Sequence, residues 1–439
     1  MTEQENNSQE QPNSNIEQQS DVVTVVLTAD NHLGYDSPRQ HKREERQQRL
    51  RDAFHQAVTF AIGQKVDLFI QAGDLFDTST PTERDRNFVS ARLAQLKQAG
   101  IRVIALGGTH DTPIEAQREE QGGQLTPAPQ MSYAQLGILE YLPPIRPDME
   151  LKPLMVEAHG VLVSICGLNS FTEQEGNLLS QLHVQNEIER AAIPVLVLHA
   201  PLESLTNSIS PLEKRAQVSR ASIAQQHIFR YILAGYDHTY SHTCIGQTEV
   251  IVAGATHSTP NIYGTQWGNE TAPNAHPGFV FMGLAADSLR WCNHITVDAL
   301  QTKRLSITTK ELWLDEANAK PTEHILERLE PLCDAESIVL LRLEGELTRR
   351  QYHQLDLNTI RHYGEEHCFS LTIDDSNVSL ISEQDTIFAE TGERFSPREE
   401  LIAVAEEWIA DTEDEQEKKA LRNTKDELLL ALDGSRGKW

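Results

Sequence analysis

The chain has 439 residues and a formal net charge of −27, with 39% hydrophobic and 23% charged residues. It is long enough for two or three domains with ordinary cores, and its composition is that of a soluble globular protein. The negative charge argues against a surface that coats itself with nucleic acid non-specifically, although a local basic groove or a metal ion remains compatible with it.

Composition also predicts the compartment. The sequence has no apolar stretch long enough to cross a bilayer, and residues 1–21 lack the basic and apolar regions of a signal peptide. We therefore expect a cytoplasmic protein without a membrane partner. Its five cysteines are widely spaced and form no CxxC pair, which predicts reduced thiols rather than disulfides or a zinc knuckle.

The first element is a polar tail over residues 1–21, predicted to be disordered. The strands VTVVLTAD, VDLFIQAGD and IRVIALGGTHD follow, separated by helices through REERQQRLRDAFHQAVTFAIGQ and RDRNFVSARLAQLKQAG. This alternation predicts βαβ units and a sheet with helices on its faces. Further on, LMVEAHGVLVSICGL predicts a hairpin, IPVLVLHAPL and YILAGYDH predict buried strands, and TEVIVAGATH and GFVFMGLAA predict antiparallel strands.

The sequence pattern changes near residue 300. LSITTKELWL, a helix through TEHILERLEPLCDA and the strands SIVLLRLEG and CFSLTIDD predict a small α+β unit. Two charged amphipathic stretches follow, SPREELIAVAEEWIADTE and DEQEKKALRNTKDELLLALDG, which pack on the protein itself or form a partner-binding helical hairpin. The predicted domains are a tail over 1–21, a main domain over 22–300, an α+β domain over 301–384 and a helical segment over 385–439.

Several predicted strands end in side chains that bind metals. These residues are Asp30 and His32 in TADNH, Asp74 and Asp77 in AGDLFD, His110 and Asp111 in GGTHD, His199 in LVLH, and Asp237 and His238 in YDH. The carboxyl ends of strands in an open α/β sheet share one crevice, so these groups are expected to converge. Around one or two divalent cations their charges would be compensated. Taken singly, such a residue is more often a helix cap, as predicted for Asp111.

These motifs resemble those of a known superfamily. DNHLGY, GDLFD, GGTHD, the strand-end His199 and GYDH are similar to DxHLG, GDxxD, GNHD, H and GHxH of the calcineurin-like metallophosphoesterases. The resemblance is greatest to the SbcD-type DNA-repair exonucleases, the meiotic recombination eleven family, and covers residues 22–300 well and 300–380 loosely. It implies a sandwich of two mixed β-sheets flanked by helices, with a small α+β capping domain and C-terminal helices.

The resemblance also implies a pair of metal positions. One ion would be held by Asp30, His32, Asp74 and His238, and the second by Asp74, an asparagine, His199 and another histidine. In this chain Thr109 stands at the asparagine position and Tyr236 at the histidine position.

Both replacements weaken the second position. A threonine hydroxyl is a weak ligand, and a tyrosine phenol must lose a proton from a pKa of about 10. Asp237 is a candidate replacement ligand, but adjacent strand residues point to opposite faces, so its use requires a bend. His242, further along the chain, is predicted to be solvated.

The family's chemistry implies roles for two more residues. His110 would stabilise or protonate the leaving group, and Asp77 would orient its imidazole. Oxygen and imidazole ligands favour Mn²⁺ or Mg²⁺, with one or two ions bound. The stretch RQHKREERQQRLR either touches the DNA backbone or is a solvated helix face with Glu44 and Glu45 interleaved, and the second interpretation is favoured.

Three functions are compatible with these motifs. The first is a metal-dependent DNA exonuclease or endonuclease in repair, working as a homodimer with an SMC-like ATPase of the SbcC type. The second is a catalytically impaired homologue that serves as a DNA-binding or assembly subunit, favoured by Thr109 and Tyr236. The third is a phosphodiesterase for small nucleotides, which needs neither the additional domain nor the helical segment.

Overall fold

The structure is a computed structural model that describes residues 21–35, 42–112, 128–142, 150–169, 179, 182–203, 218–258, 276–313 and 319–381, with isolated positions from 402 to 425. The chain divides into two compact units, Met1–Lys303 with Glu336–Ile338, and Arg304–Ala335 with Val339–Trp439. The predicted disordered tail, apart from its last residue, and most of the predicted C-terminal helices lie outside the described residues. None of the described helices has the length and apolar character needed to span a membrane.

The described residues form strands that we number in chain order. These are β1 Val23–Thr28, β2 Leu68–Ala72, β3 Arg102–Leu106, β4 Glu140–Leu142, β5 Glu150–Leu151, β6 Leu154–Ala158, β7 Val161–Asn169, β8 His183–Val184, β9 Ile193–His199, β10 Tyr231–Gly235, β11 Ser241–Ile245, β12 Thr248–Val252, β13 Gly278–Leu284, β14 Leu289–Thr296, β15 Gln301–Thr308, β16 Ser337–Thr348 and β17 Ser370–Ile381.

The helices are numbered in the same way. These are α1 Arg43–Gln64, α2 Glu83–Gln98, α3 Pro129–Gln135, α4 Arg220–Gln225, α5 Thr309–Leu312, α6 Pro321–Leu329, α7 Arg349–Gln354 and α8 Leu357–His367, with 3₁₀ turns at Asn186–Arg190 and Glu330–Leu332.

The first unit contains two six-stranded mixed sheets, in the orders β14-β13-β1-β2-β3-β4 and β11-β12-β10-β9-β7-β6. Strands β1 to β4 are parallel, and β13 runs antiparallel to β1. In the second sheet β7, β9, β10 and β12 are parallel, and β6 and β7 form the predicted hairpin. The predicted architecture of two mixed sheets with helices is confirmed. The antiparallel prediction for TEVIV holds only for its pairing with β11, because β12 runs parallel to β10.

The core explains why the strands are apolar throughout. Val25 and Leu27 of β1 point into the layer between the sheets, where Val195 of β9 also packs. Val26 points to the opposite face and packs in the cluster that contains Phe54 of α1. A strand covered on both faces loses the alternation of apolar and polar residues, and each parallel strand can then end in polar residues at the same edge.

Helix α1 has the predicted bounds, but its basic face is not simply solvated. Arg46 and Arg51 are buried. Arg51 donates from Nη1 to Asp85 Oδ1 at 2.9 Å. Arg46 donates from Nη2 to the carbonyl oxygen of Ser258 at 2.8 Å, and its guanidinium lies 5.0 Å from the centre of the Tyr35 ring. The interpretation of this stretch as a solvated face is therefore wrong for these two arginines, which bind to the domain itself.

The second unit contains the three-stranded sheet β15-β16-β17. Ile325 and Leu329 of α6 and Ile360 of α8 pack in one buried cluster with residues of the strands. Cys333 and Cys368 are joined by a disulfide, with their Cα atoms 4.9 Å apart. The prediction of reduced cysteines is thus wrong for this pair, because the turn after α6 and the end of α8 bring two thiols together that are 35 positions apart in the sequence.

Candidate metal centre

The predicted ligands converge at one edge of the first unit, where parallel strands end. Asp30 and His32 follow β1, Asp74 follows β2, His199 ends β9 and His238 follows β10. Among the described residues, three groups of side chains each have ligand atoms that lie within 4.8 Å of one another. These groups are Asp30, His32 and His238; Asp30, Asp74 and His199; and His32, Asp77 and His110.

The backbone brings the donors of the two sheets together. Gly73, with φ +97°, lies so close to His199 that a Cβ atom would overlap the imidazole. Asp30, His32 and Asp74 also have positive φ angles, of 47°, 45° and 52°. Non-glycine residues rarely adopt this region, and it persists only where surrounding contacts over-determine it. Here the amides of Asp30 and His32 donate to the carbonyl oxygens of Gly73 and Asp74, at 3.0 and 3.1 Å.

Asp74 occupies the middle of the centre. Its Oδ2 lies 3.2 Å from His199 Nε2 and accepts a hydrogen bond from Thr109 Oγ1 at 3.1 Å. Its Oδ1 accepts from the backbone amide of His110 at 2.7 Å. The Asp74 carboxylate therefore has groups of both proposed metal positions around it, as a bridging ligand requires.

His32 is oriented for ligation. Its Nδ1 lies 2.9 Å from Asp77 Oδ1, whereas its buried Nε2 has no hydrogen-bond partner among the described residues. Buried nitrogens are nearly always paired, and ligating histidines commonly donate their other ring nitrogen to a carboxylate. The donor set of carboxylates and imidazoles, with one imidazole nitrogen left unpaired inside it, fits a divalent cation.

His110 and Asp77 are less closely paired than predicted. His110 Nδ1 lies 3.6 Å from Asp77 Oδ1 and 3.3 Å from the Asp77 carbonyl oxygen, whereas the short carboxylate contact is to His32. The His110 side chain is 50% exposed, and its ring centre is 4.6 Å from that of His32. In this geometry Asp77 orients His32, and His110 is placed at the open side of the centre.

Thr109 and Tyr236, the two residues that differ from the family motifs, lie beside the ligands proposed for the second ion. Thr109 donates to the Asp74 carboxylate, and the Tyr236 ring is centred 5.6 Å from that of His199. Tyr236 has a φ of 83°, so the backbone bends directly after β10. Asp237 Oδ1 nevertheless accepts from the amide of Thr239 at 3.0 Å, and Asp237 belongs to none of the three ligand groups. His242 lies on β11, where its Nε2 is 2.9 Å from Glu249 Oε2.

Burial and charge set the protonation states of these carboxylates and imidazoles. Burial, reinforced by the charge of Asp74, raises the pKa of Asp30 to about 7. Burial opposes the protonation of His199, but the adjacent Asp74 carboxylate outweighs it and raises the pKa of His199 to about 9. The same pairing outweighs the effect of burial on Asp74 and lowers the pKa of its carboxyl group.

We expect metal binding to release protons, since a cation needs the ionised carboxylate and the neutral imidazole. Below the raised pKa values of Asp30 and His199 these groups hold protons that the cation must displace, so affinity falls as pH falls. Mn²⁺ affinity should weaken about tenfold from pH 8 to pH 7 if one proton is displaced. Titration calorimetry of EDTA-stripped protein in two buffers of different ionisation enthalpy measures the protons directly. Equal heats in both buffers would contradict the prediction.

Asp111 is predicted to cap the next helix, and this stays a prediction because residues 113–127 lie outside the described residues. Its Oδ1 accepts from the amide of Gly108 at 2.8 Å, and its Oδ2 accepts from the amide of Leu75 at 2.8 Å and from the Gln130 side chain. The residue is fully buried. Asp111 therefore ties the loop after β3 to the loop after β2, which fixes Asp74 and His110 relative to each other.

One residue in the centre was not predicted. His257 follows β12, and its ring centre lies 5.4 Å from that of His32 and 5.8 Å from that of His238. The signal was present in the sequence, since GATH ends an apolar strand as TADNH does. His257 was not predicted because the motifs that resemble those of the family end at GYDH, before GATH.

Comparisons with known proteins agree with this geometry. Residues 23–240 match the sequence profile of the calcineurin-like phosphoesterases. The chain is 38% identical over 92 residues to the DNA double-strand break repair protein Mre11 of Saccharolobus solfataricus, covering 21% of this chain and 23% of the relative. It is 28% identical over 215 residues to the protein of the same name from Sulfurisphaera tokodaii, covering 49% of each.

The matched segments thus span at most about half of the length of these relatives. A dimetal phosphatase from Danio rerio aligns in structure with 63% of this chain and 99% of its own, at 13% identity and a TM-score of 0.33. Residues 23–240 therefore form a domain of the calcineurin-like phosphoesterase family.

Proposed function

We propose that the protein is a metal-dependent phosphodiesterase that hydrolyses DNA during repair, as an exonuclease or an endonuclease, with Mn²⁺ or Mg²⁺. The observation that carries this proposal is the convergence of carboxylates and imidazoles from five strand ends into groups within 4.8 Å. The similarity to proteins named for DNA double-strand break repair supports DNA as the substrate.

Asp30, His32, Asp74 and His238 would hold one ion, and Asp74 and His199 would contribute to the second. When bound, the cations supply Lewis-acid activation of water and neutralise charge on the scissile phosphate. Hydrolysis forms a bond from the water oxygen to phosphorus while the bond from phosphorus to the leaving sugar oxygen breaks.

His110 is the residue that we assign to the leaving oxygen. Its side chain is 50% exposed at the centre, so it can reach a bound polymer. The backbone amide of His110 is held by Asp74, which keeps the imidazole at a fixed place relative to the ligands. Proton transfer from this imidazole would neutralise the leaving oxygen as the bond breaks.

Incubation of the purified full chain with end-labelled single- and double-stranded DNA in Mn²⁺ tests the proposal. We expect cleavage that EDTA abolishes, because the ligand set by itself contains no group able to replace the cation. Parallel reactions with 2′,3′-cyclic nucleotides and bis(p-nitrophenyl) phosphate test the small-nucleotide alternative. Hydrolysis of these compounds without DNA cleavage would favour that alternative, and a folded, metal-loaded protein that cuts nothing would overturn the nuclease proposal.

A catalytically impaired subunit is the second candidate. Thr109 and Tyr236 stand where the family motifs have an asparagine and a histidine, and they lie beside Asp74 and His199. Such a protein would bind DNA or its assembly partners without cutting. DNA binding in the absence of hydrolysis would support this candidate.

The proposed partners are an SMC-like ATPase of the SbcC type and a second copy of this chain. The amphipathic pattern between residues 397 and 432 supports a helical segment that binds the ATPase. Most of that segment lies outside the described residues, so the support comes from its sequence pattern and from the family resemblance.

A further inference from the structure

We propose that His257 is an additional ligand of the metal position held by Asp30, His32 and His238. The inference rests on the proposed metal-dependent function of the same centre. It adds an imidazole that lies outside the five motifs of the family resemblance.

The main-chain path places His257 at the centre. Ala255 forms an isolated parallel bridge with Ala29, the residue that precedes Asp30. The next residue, Thr256, accepts a hydrogen bond on Oγ1 from Asn31 Nδ2 at 3.0 Å. The segment after β12 therefore runs beside the segment after β1, and His257 comes to lie next to His32 in the way that a ligand from a further strand end would.

The imidazole of His257 is buried without hydrogen-bond partners among the described residues. The residue is 6% exposed, and neither Nδ1 nor Nε2 has a hydrogen-bond partner among the described residues. His32 Nε2, which the family motif assigns to a metal, is unpaired in the same way. Buried imidazole nitrogens are normally paired, so an unpaired nitrogen on a buried ring beside a ligand set points to a bound cation as its partner.

The spacing of the rings suits one ion. The ring centres of His32, His238 and His257 form a triangle with sides of 5.3, 5.4 and 5.8 Å. The point equidistant from all three centres is about 3.2 Å from each, which equals a metal–nitrogen bond of about 2.1 Å plus the distance of about 1.1 Å from nitrogen to ring centre.

His257 is not a member of the three groups whose ligand atoms lie within 4.8 Å. Its ring must therefore turn about χ2, a broad torsion in histidine, to direct a nitrogen at the ion. Among the described residues, the cation close to His257 is Arg46, which donates to the Ser258 carbonyl. Asp30, Asp74 and Asp77 lie close to His32, so negative charge exceeds this positive charge beside the proposed position.

The test uses EDTA-stripped full chain, Mn²⁺ as the probe, and the variant His257→Leu. Leucine fills the space without polar atoms, so the stripped variant should melt at the same temperature as the stripped wild type or higher. Its Mn²⁺ affinity should fall about 10- to 100-fold. Pulsed electron paramagnetic resonance of bound Mn²⁺ should detect nitrogen couplings from one imidazole fewer than in the wild type.

His242→Leu is the matched control, because His242 pairs with Glu249 away from the centre, and it should leave Mn²⁺ affinity unchanged. Equal Mn²⁺ affinity and equal nitrogen couplings in wild type and His257→Leu would overturn the inference and leave the proposed function standing. A stripped variant that melts at a lower temperature with unchanged affinity would show a structural role and overturn it as well. Failure of the wild type to bind Mn²⁺ would overturn the inference and the proposed function together.

Discussion

Replacement of Asp74 by alanine should reduce Mn²⁺-dependent DNA cleavage at least about 1,000-fold, a loss of about 4 kcal/mol of transition-state stabilisation. The Asp74 carboxylate contacts His199, Thr109 and the backbone amide of His110. Its loss removes the proposed bridging ligand, leaves His199 Nε2 without its acceptor, and releases the residue assigned to the leaving oxygen. End-labelled DNA assayed under identical Mn²⁺ concentrations measures the effect.

Asp287→Ala is the control for this variant, since Asp287 is an exposed carboxylate paired with Arg290 on the surface. It should cleave DNA at the wild-type rate. Circular dichroism must show that Asp74→Ala is folded. A folded Asp74→Ala protein that retains activity within tenfold of the wild type would place the hydrolytic centre elsewhere or identify the activity as a contaminant.

The double variant Thr109→Asn with Tyr236→His should increase cleavage about 100-fold, the size of effect seen when one transition-state contact is gained or lost. Asparagine supplies a carbonyl oxygen beside Asp74, and histidine supplies a neutral nitrogen beside His199. The threonine hydroxyl and the tyrosine phenol that they replace ligate divalent cations poorly. Calorimetry should show a higher Mn²⁺ stoichiometry in the variant than in the wild type.

Tyr236→Phe separates ligation from packing, because it keeps the ring near His199 and removes only the phenol oxygen. If the phenol is not a ligand, this variant should match the wild type. A double variant that binds more Mn²⁺ but cleaves no faster would mean that the second ion does not limit the reaction. A Tyr236→Phe protein that loses metal would show that the tyrosine already serves as a ligand.

The sequence predicts the site well where a strand and its terminal residue are adjacent in the chain. The apolar runs before Asp30, Asp74 and His199 identify buried strands, and parallel strands bring their carboxyl ends to one edge. The two sheets follow from the same alternation of strands and helices. The bounds of α1 follow from a long uninterrupted helical pattern without proline or an early stop signal.

Contacts between residues distant in sequence could not be predicted in this way. The pairing of Asp77 with His32, the burial of Arg46 against Ser258 and the role of Asp111 in joining two loops each depend on how separate segments meet. Local spacing carries no information on such contacts. The antiparallel prediction for β12 was wrong in part for the same reason. A strand with partners on both sides can be parallel to one and antiparallel to the other.

The left-handed backbone at Asp30, His32 and Asp74 has a consequence for how such a centre changes during evolution. Main-chain hydrogen bonds between the ends of β1 and β2 hold these positions and form a frame that does not involve the side chains of Thr109 and Tyr236. The residues at individual ligand positions, such as Thr109 and Tyr236, can change while this frame is retained. Point substitutions at the ligand positions could then change the activity of such a centre without a change of fold.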